Sequence, residues 1–149
     1  VQLHGNKAAY LFHQPCHNPM KQQDTMTTVK ALVGEQVIDN ARCCGESGTL
    51  AVARPDVSTQ VRFRKEEEIQ KGVAQLRQDF GVAQDSNVKI LTSCPACLQG
   101  LMRYEGDLQN GLLEADYIVI EMAKQILGEN WMPEFVAQAN QGGIERVLV

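Results

Sequence analysis

The chain's five cysteines are its chemically richest residues, and they fall in three short segments. Cys16 sits in His13-Gln14-Pro15-Cys16-His17. Cys43 and Cys44 are neighbours in Arg42-Cys43-Cys44-Gly45-Glu46-Ser47-Gly48. Cys94 and Cys97 form Ser93-Cys94-Pro95-Ala96-Cys97. Cysteine used as core packing scatters among apolar neighbours as a small hydrophobe. These five are flanked by Gly, Pro, Ser or His, which points to loops, and thiolates gathered from loops hold metal or carry redox chemistry. The pattern predicts one metal or redox site assembled from three loops.

Local chemistry agrees. Pro95 suits the first turn of a helix, where its missing N–H costs nothing. That leaves Cys94 near the N-cap, where free N–H groups and the helix dipole favour a thiolate. Gly45 and Gly48 let backbone amides approach sulfur closely. The adjacent pair Cys43-Cys44 cannot readily chelate one small tetrahedral ion, but its members can bind different irons of a cluster. Five thiolates also exceed the four that zinc or a cubane cluster requires. The surplus favours a polynuclear centre.

The elements that must position these loops alternate strand and helix. Ala8 to Phe12 is a short apolar run ended by Gln14-Pro15, a buried strand. Met20 to Val33 places Met26, Val29 and Val33 on one helical face, with Gly34 as its stop. Gln36 to Asp39 is a second brief strand. Asp56 to Phe80 is the clearest helix, with Val57, Val61, Ile69, Val73, Leu76 and Phe80 in one stripe, Pro55 before it and Gly81 after. Its charged run, Arg62 to Lys71, has i, i+4 pairs and is expected to be a solvated face. Val88 to Thr92 is a third strand, and Cys94-Pro95 opens a helix to about Tyr104. A helix over Ile120 to Leu127, a break at Trp131-Met132-Pro133, a helix towards Asn140 and an apolar tail, Ile144 to Val149, complete the chain. Such alternation predicts an α/β, Rossmann-like fold: a small parallel sheet of three to four strands with helices on its faces. Each cysteine segment follows a predicted strand, and ligand sites in open α/β sheets lie beyond the strands' carboxyl ends.

Composition bounds the setting. The 149 residues make one domain of ordinary size, 1–149, and the opening Val1-Gln2-Leu3 without methionine suggests a piece of a longer chain. Net charge is −4 and no basic stripe appears, which argues against nucleic acid as a partner. No apolar run reaches the length of a membrane span. An odd number of cysteines with an adjacent pair is a poor secreted disulfide framework, so a reducing cytoplasm is expected.

The order Cys16, Cys43-Cys44-Gly45, Cys94-Pro95-Ala96-Cys97 resembles the cysteine-rich CCG domain. That domain occurs in the B subunit of heterodisulfide reductase and in iron–sulfur subunits of glycolate and lactate oxidation systems. The strings around the cysteines match as well, and the likeness covers roughly residues 8 to 104. Gly142-Gly143-Ile144-Glu145-Arg146-Val147 looks like the C-terminus of long fused FAD-linked oxidoreductases. The resemblance implies a non-cubane [4Fe-4S] cluster held by Cys16, Cys43, Cys44, Cys94 and Cys97. It also implies electron transfer for a flavin-linked oxidoreductase acting on a 2-hydroxy acid such as glycolate or D-lactate. Flavin-containing and ferredoxin-like domains or subunits would be the partners, with FAD bound elsewhere in a parent chain. Some CCG domains resemble instead a zinc site of three thiolates and one other ligand. The interval of 26 residues between Cys16 and Cys43 is shorter than the family's usual spacing, and the 49 between Cys44 and Cys94 is longer.

Two other functions stay open at this point. One is a structural zinc module, for which His17 is a candidate fourth ligand, while His13 near a strand end is expected to be a structural hydrogen-bond donor. The other is a thiol–disulfide oxidoreductase using Cys94 and Cys97, since CPxC at a helix start resembles glutaredoxin-like sites. Against it, the motif follows the third strand, and three further cysteines would be idle. Gly45-Glu46-Ser47-Gly48 is too short for a phosphate loop.

Overall fold

The computed structural model describes residues 8–20, 22–46 and 49–141. Within them, four strands form one all-parallel sheet: β1 (Tyr10–His13), β2 (Val37–Asp39), β3 (Val88–Thr92) and β4 (Leu113–Tyr117), in the order β2-β1-β3-β4. Leu11 pairs with Ile38 on one side and Ile90 on the other, and Ile90 pairs in turn with Ala115. The helices are α1 (Thr25–Val33), the single turn α2 (Leu50–Ala53), α3 (Pro55–Phe80), α4 (Pro95–Met102), α5 (Ile118–Leu127) and α6 (Trp131–Gln141). The chain is therefore mixed α/β with a parallel sheet flanked by helices, as its alternating pattern predicts.

Period-two alternation sorts the sheet's side chains into two cores. On one face Leu11, Val88, Ile90 and Leu113 pack with Ile69, Val73 and Leu76 of α3 and Leu101 of α4. On the other, Tyr10, Phe12 and Leu91 pack with Val29 and Val33 of α1 and Ile118 of α5. Ile69, Val73 and Leu76 are essentially inaccessible to solvent, and burying each contributes about 1.5–3 kcal/mol. That suffices to hold a long helix whose outer face is charged. Leu11 and His13 share a parity, so the last residue of β1 faces α3.

Local signals set the boundaries. Asp24 caps α1, its carboxylate accepting the Thr27 amide proton at 2.7 Å, so the helix begins at Thr25 and not at Met20. Gly34 ends α1 at φ 108°, and Gly81 ends α3 in the left-handed region at φ 66°. Pro133 does not break α6; it lies in the first turn, where no amide partner is lost. The break falls earlier, at Gly128 (φ 96°). β4 is an element that the sequence pattern did not announce. Its Leu113-Glu114-Ala115-Asp116-Tyr117 carries two acidic residues, but Leu113 and Ala115 face inward and the strand is held by pairing with β3.

α5 is tied to the sheet by a buried carboxylate. Glu121 accepts hydrogen bonds from Lys89 at 2.6 Å, Lys124 at 3.2 Å and the Tyr10 hydroxyl at 3.0 Å. Among the described residues no helix is long and apolar enough to cross a membrane. Gly48 and the tail from Gly142 to Val149 lie outside the described residues.

Candidate metal centre

Chain order explains where the site falls. β1 is followed by β2 on one side and, after α3, by β3 on the other, so the connections diverge between β1 and β3. That divergence opens a crevice beyond the strands' carboxyl ends. Cys16 lies three residues past β1, Cys43 and Cys44 follow β2, and Cys94 and Cys97 follow β3. All five are free thiols.

The structure brings them together as one connected set. Cys44 and Cys97 are buried and hydrogen-bonded to each other. Cys94 is the N-cap residue of α4 and lies within hydrogen-bonding reach of Cys97, with Pro95 at the first helical position. Cys16 and Cys43 are exposed and hydrogen-bonded to each other, and Cys44 is near enough for its charge to act on Cys16. The adjacent Cys43 and Cys44 thus diverge. Cys43 joins the exposed thiol and Cys44 the buried one.

The loop that makes this possible is fixed from three sides. Gly45 adopts φ 76°, and a side chain there would meet Val61 of α3 at 3.3 Å. Its amide points at the Cys43 sulfur, 3.4 Å away, and its carbonyl accepts a hydrogen bond from Ser58. Glu46 is bound at 2.7 Å by Arg103 at the end of α4. Gly100, one turn beyond Cys97, lets α4 lie against the Cys44 backbone.

The thiol electrostatics follow from this packing. Hydrogen bonds from Cys97, from His13 and from the Glu46 amide hold the Cys44 pKa down at about 4, against the opposing effect of burial. Cys97, which shares its proton with the Cys44 thiolate, is correspondingly driven well up, and burial adds to the rise. Burial and the neighbouring Cys43 also raise Cys16. One proton held between two buried sulfurs is what a metal cation displaces on binding.

Two residues stand closer to the sulfurs than the sequence pattern indicated. His13 is fully buried, and its imidazole nitrogen lies with the Cys44 and Cys97 sulfurs, the three ligand atoms all within 4.8 Å of one another. Its Nε2 makes no hydrogen bond of ordinary geometry. His17, a candidate fourth ligand of a zinc site, is exposed. With Cys16 it lines a cavity of about 640 Å³ that also includes Gln14, Asn18 and Met20. The second residue is Lys65. It belongs to the charged run read as a solvated face, yet it is inaccessible to solvent and directed at His13. Burial lowers its pKa to about 8, and the Cys44 thiolate works against that drop. The sequence did carry a signal: Lys65 stands four residues from both Val61 and Ile69, inside the apolar stripe.

Five free thiols gathered at one crevice beside a buried, unsatisfied imidazole fit a metal, since Cys sulfur is the donor that zinc and iron–sulfur centres share. The fold and the donor group together define an α/β module built to bind metal at the crevice of its sheet. Comparison of the sequence with family models places it more closely. The model of the cysteine-rich CCG domain matches residues 10–101, more than half of the chain, and the chain belongs to that family. Residues 102–149 match a domain of unknown function (DUF3400). No curated protein and no solved structure matches the chain. Family and donor group support a metal-binding redox module with redox domains as partners.

Proposed function

We propose that the chain is an iron–sulfur electron-transfer domain whose cluster is held by Cys16, Cys43, Cys44, Cys94 and Cys97. The observation that carries this is the divergence of Cys43 and Cys44 into separate thiol pairs. One tetrahedral ion would draw neighbouring sulfurs to a common point, whereas a polynuclear centre needs them apart. When bound, a non-cubane [4Fe-4S] cluster would supply one-electron chemistry, and the chain's residues would set its charge and solvent access. The family's association with 2-hydroxy-acid oxidation supports a place in a cytoplasmic FAD-linked oxidoreductase acting on glycolate, D-lactate or a similar acid. Flavin and substrate would then belong to partner domains.

A second possibility is favoured by His13, Cys44 and Cys97, which with Cys94 make four donors suited to a structural zinc ion. Anaerobic reconstitution separates the two. The cluster predicts a brown, oxygen-sensitive protein with about four iron and four sulfide per chain, losing its visible absorption in Cys43→Ser or Cys44→Ser. Replacing Cys94 and Cys97 together with Ser should abolish binding of either metal. Colourless protein holding about one tightly bound zinc, with only adventitious iron, would overturn the redox assignment.

A further inference from the structure

Lys65 is a buried cation without a carboxylate. Its side chain is inaccessible to solvent, and no ion pair within 4.0 Å involves it among the described residues. Its Nζ has three protons and three acceptors. Two acceptors belong to Asn40: the backbone carbonyl at 2.8 Å and the side-chain Oδ1. The third is His13 Nδ1 at 2.9 Å. Asn40 cannot be turned the other way round, because its Nδ2 donates to the Glu68 carbonyl at 3.1 Å. Nor can its backbone shift freely, since its amide donates to the Phe12 carbonyl at 2.8 Å. A buried charge needs an opposite charge nearby, and the Cys44 thiolate beyond His13 acts on Lys65 more strongly than the carboxylates of Glu68 and Asp39, with Cys43 adding to it.

Donor accounting then fixes the histidine. An ammonium donating to Nδ1 makes that nitrogen the acceptor of a neutral imidazole, so the ring proton sits on Nε2. Nε2 is the ring nitrogen without a hydrogen bond of ordinary geometry, and the imidazole lies against Cys44 and Cys97, one of its nitrogens within 4.8 Å of both sulfurs. We propose that Lys65 is the internal counter-cation of the sulfur centre and acts through His13, which it fixes as an Nε2–H hydrogen-bond donor to the Cys44 and Cys97 sulfurs, not as a metal ligand. Lys65 is thus a positioning residue. The inference deepens the metal-centre assignment and rests on it for the identity of the anion. Hydrogen bonds to sulfur and net charge are among the factors that set an iron–sulfur potential, so the pair biases the centre towards accepting an electron.

The test is the histidine tautomer, read by long-range ¹⁵N–¹H NMR on ¹⁵N-histidine-labelled reduced chain, metal-free and after loading with Zn²⁺ alone. The wild type is expected to show His13 protonated at Nε2 in both states. In Lys65→Met the proton should move to Nδ1, which has the Asn40 carbonyl 3.3 Å away as acceptor, and zinc affinity should fall about 10–100-fold, the usual cost of losing an outer partner of a metal site. Lys65→Arg should restore the wild-type tautomer. A wild-type spectrum with Nε2 bound directly to zinc, or with the proton on Nδ1, overturns the proposal without any variant. An unchanged tautomer in Lys65→Met overturns it as well. In protein reconstituted with iron and sulfide, Lys65→Met should lower the midpoint potential. Failure of that cluster to form would sink the redox assignment while the tautomer still decides this one.

Discussion

Replacing Gly100 with Ala probes how tightly α4 sets the metal loop. A methyl group there would stand 3.1 Å from Glu46 Cβ, 3.3 Å from the Cys44 carbonyl oxygen and 3.4 Å from Cys44 Cβ. The first two of these contacts are tighter than ordinary packing, so Glu46 Cβ and the Cys44 carbonyl must give way by a few tenths of an ångström, while Cys44 Cβ stands at the edge of ordinary contact. None is the end of a flexible side chain, and their loop is pinned to Ser58 and Arg103. Two effects oppose one another. Ala in place of Gly inside a helix gains about 1 kcal/mol, while overpacking of a closed contact costs about 1–3 kcal/mol. The metal-free protein should therefore lose roughly 0–2 kcal/mol. Metal binding should suffer more, because the displaced residue is Cys44 and its partner Cys97 rides on α4; a loss of about 10–100-fold in affinity is expected. Urea unfolding of the reduced, metal-free protein measures the first quantity, and chelator competition for Zn²⁺ the second. Gly106→Ala, where an added methyl meets nothing within 4 Å, is the control. A Gly100→Ala protein about 1 kcal/mol more stable with unchanged zinc affinity would refute the reasoning, since the loop would then yield freely to the helix.

Two further outcomes follow from the fold. Burial pushes the Glu121 carboxyl up, but Lys89, Lys124 and Tyr10 outweigh it and hold its pKa below the ordinary 4.5. The stability it contributes is therefore present above pH 4.5 and lost as pH falls through the lower folded value. Glu121→Gln should cost the metal-free protein about 1–3 kcal/mol near neutrality, with the gap closing in acid; a pH-independent gap in the unfolding midpoint would count against this. A chain ended at residue 111 keeps the whole CCG match but lacks β4, so Ile90 and Leu101 lose Leu113 and Ala115 from their core. It should show no cooperative urea transition, and a wild-type midpoint would show that β4 is dispensable.

Much of this architecture was legible in the residues. β3 ran from Val88 to Thr92 as its apolar run indicated, because turn residues bound it on both sides. The cysteines could be placed at one sheet edge because parallel strands send all their following loops to the same end. What stayed hidden depended on partners distant in sequence. β4 reads as acidic and exposed until β3 supplies its ladder. Lys65 was masked by the five charged neighbours from Arg62 to Glu68 around it, although its spacing from Val61 and Ile69 placed it on the buried stripe. His13 could be assigned to a face by parity with Leu11, but nothing in the sequence says which helix covers that face.

The exposure of the thiols gives the site a direction in time. Cys16 and Cys43 form its rim, open to solvent, while Cys44 and Cys97, 3% and 5% exposed, form its floor with His13. An oxidant, an alkylating reagent or a chelator meets the rim first, so damage is sequential and begins with the two sulfurs whose loss leaves the fold's interior untouched. The floor, shielded by α3 and α4, survives that first injury as a preformed template. Reassembly then starts from a half-built site, and reagent accessibility becomes a clock for how far any given molecule has been dismantled.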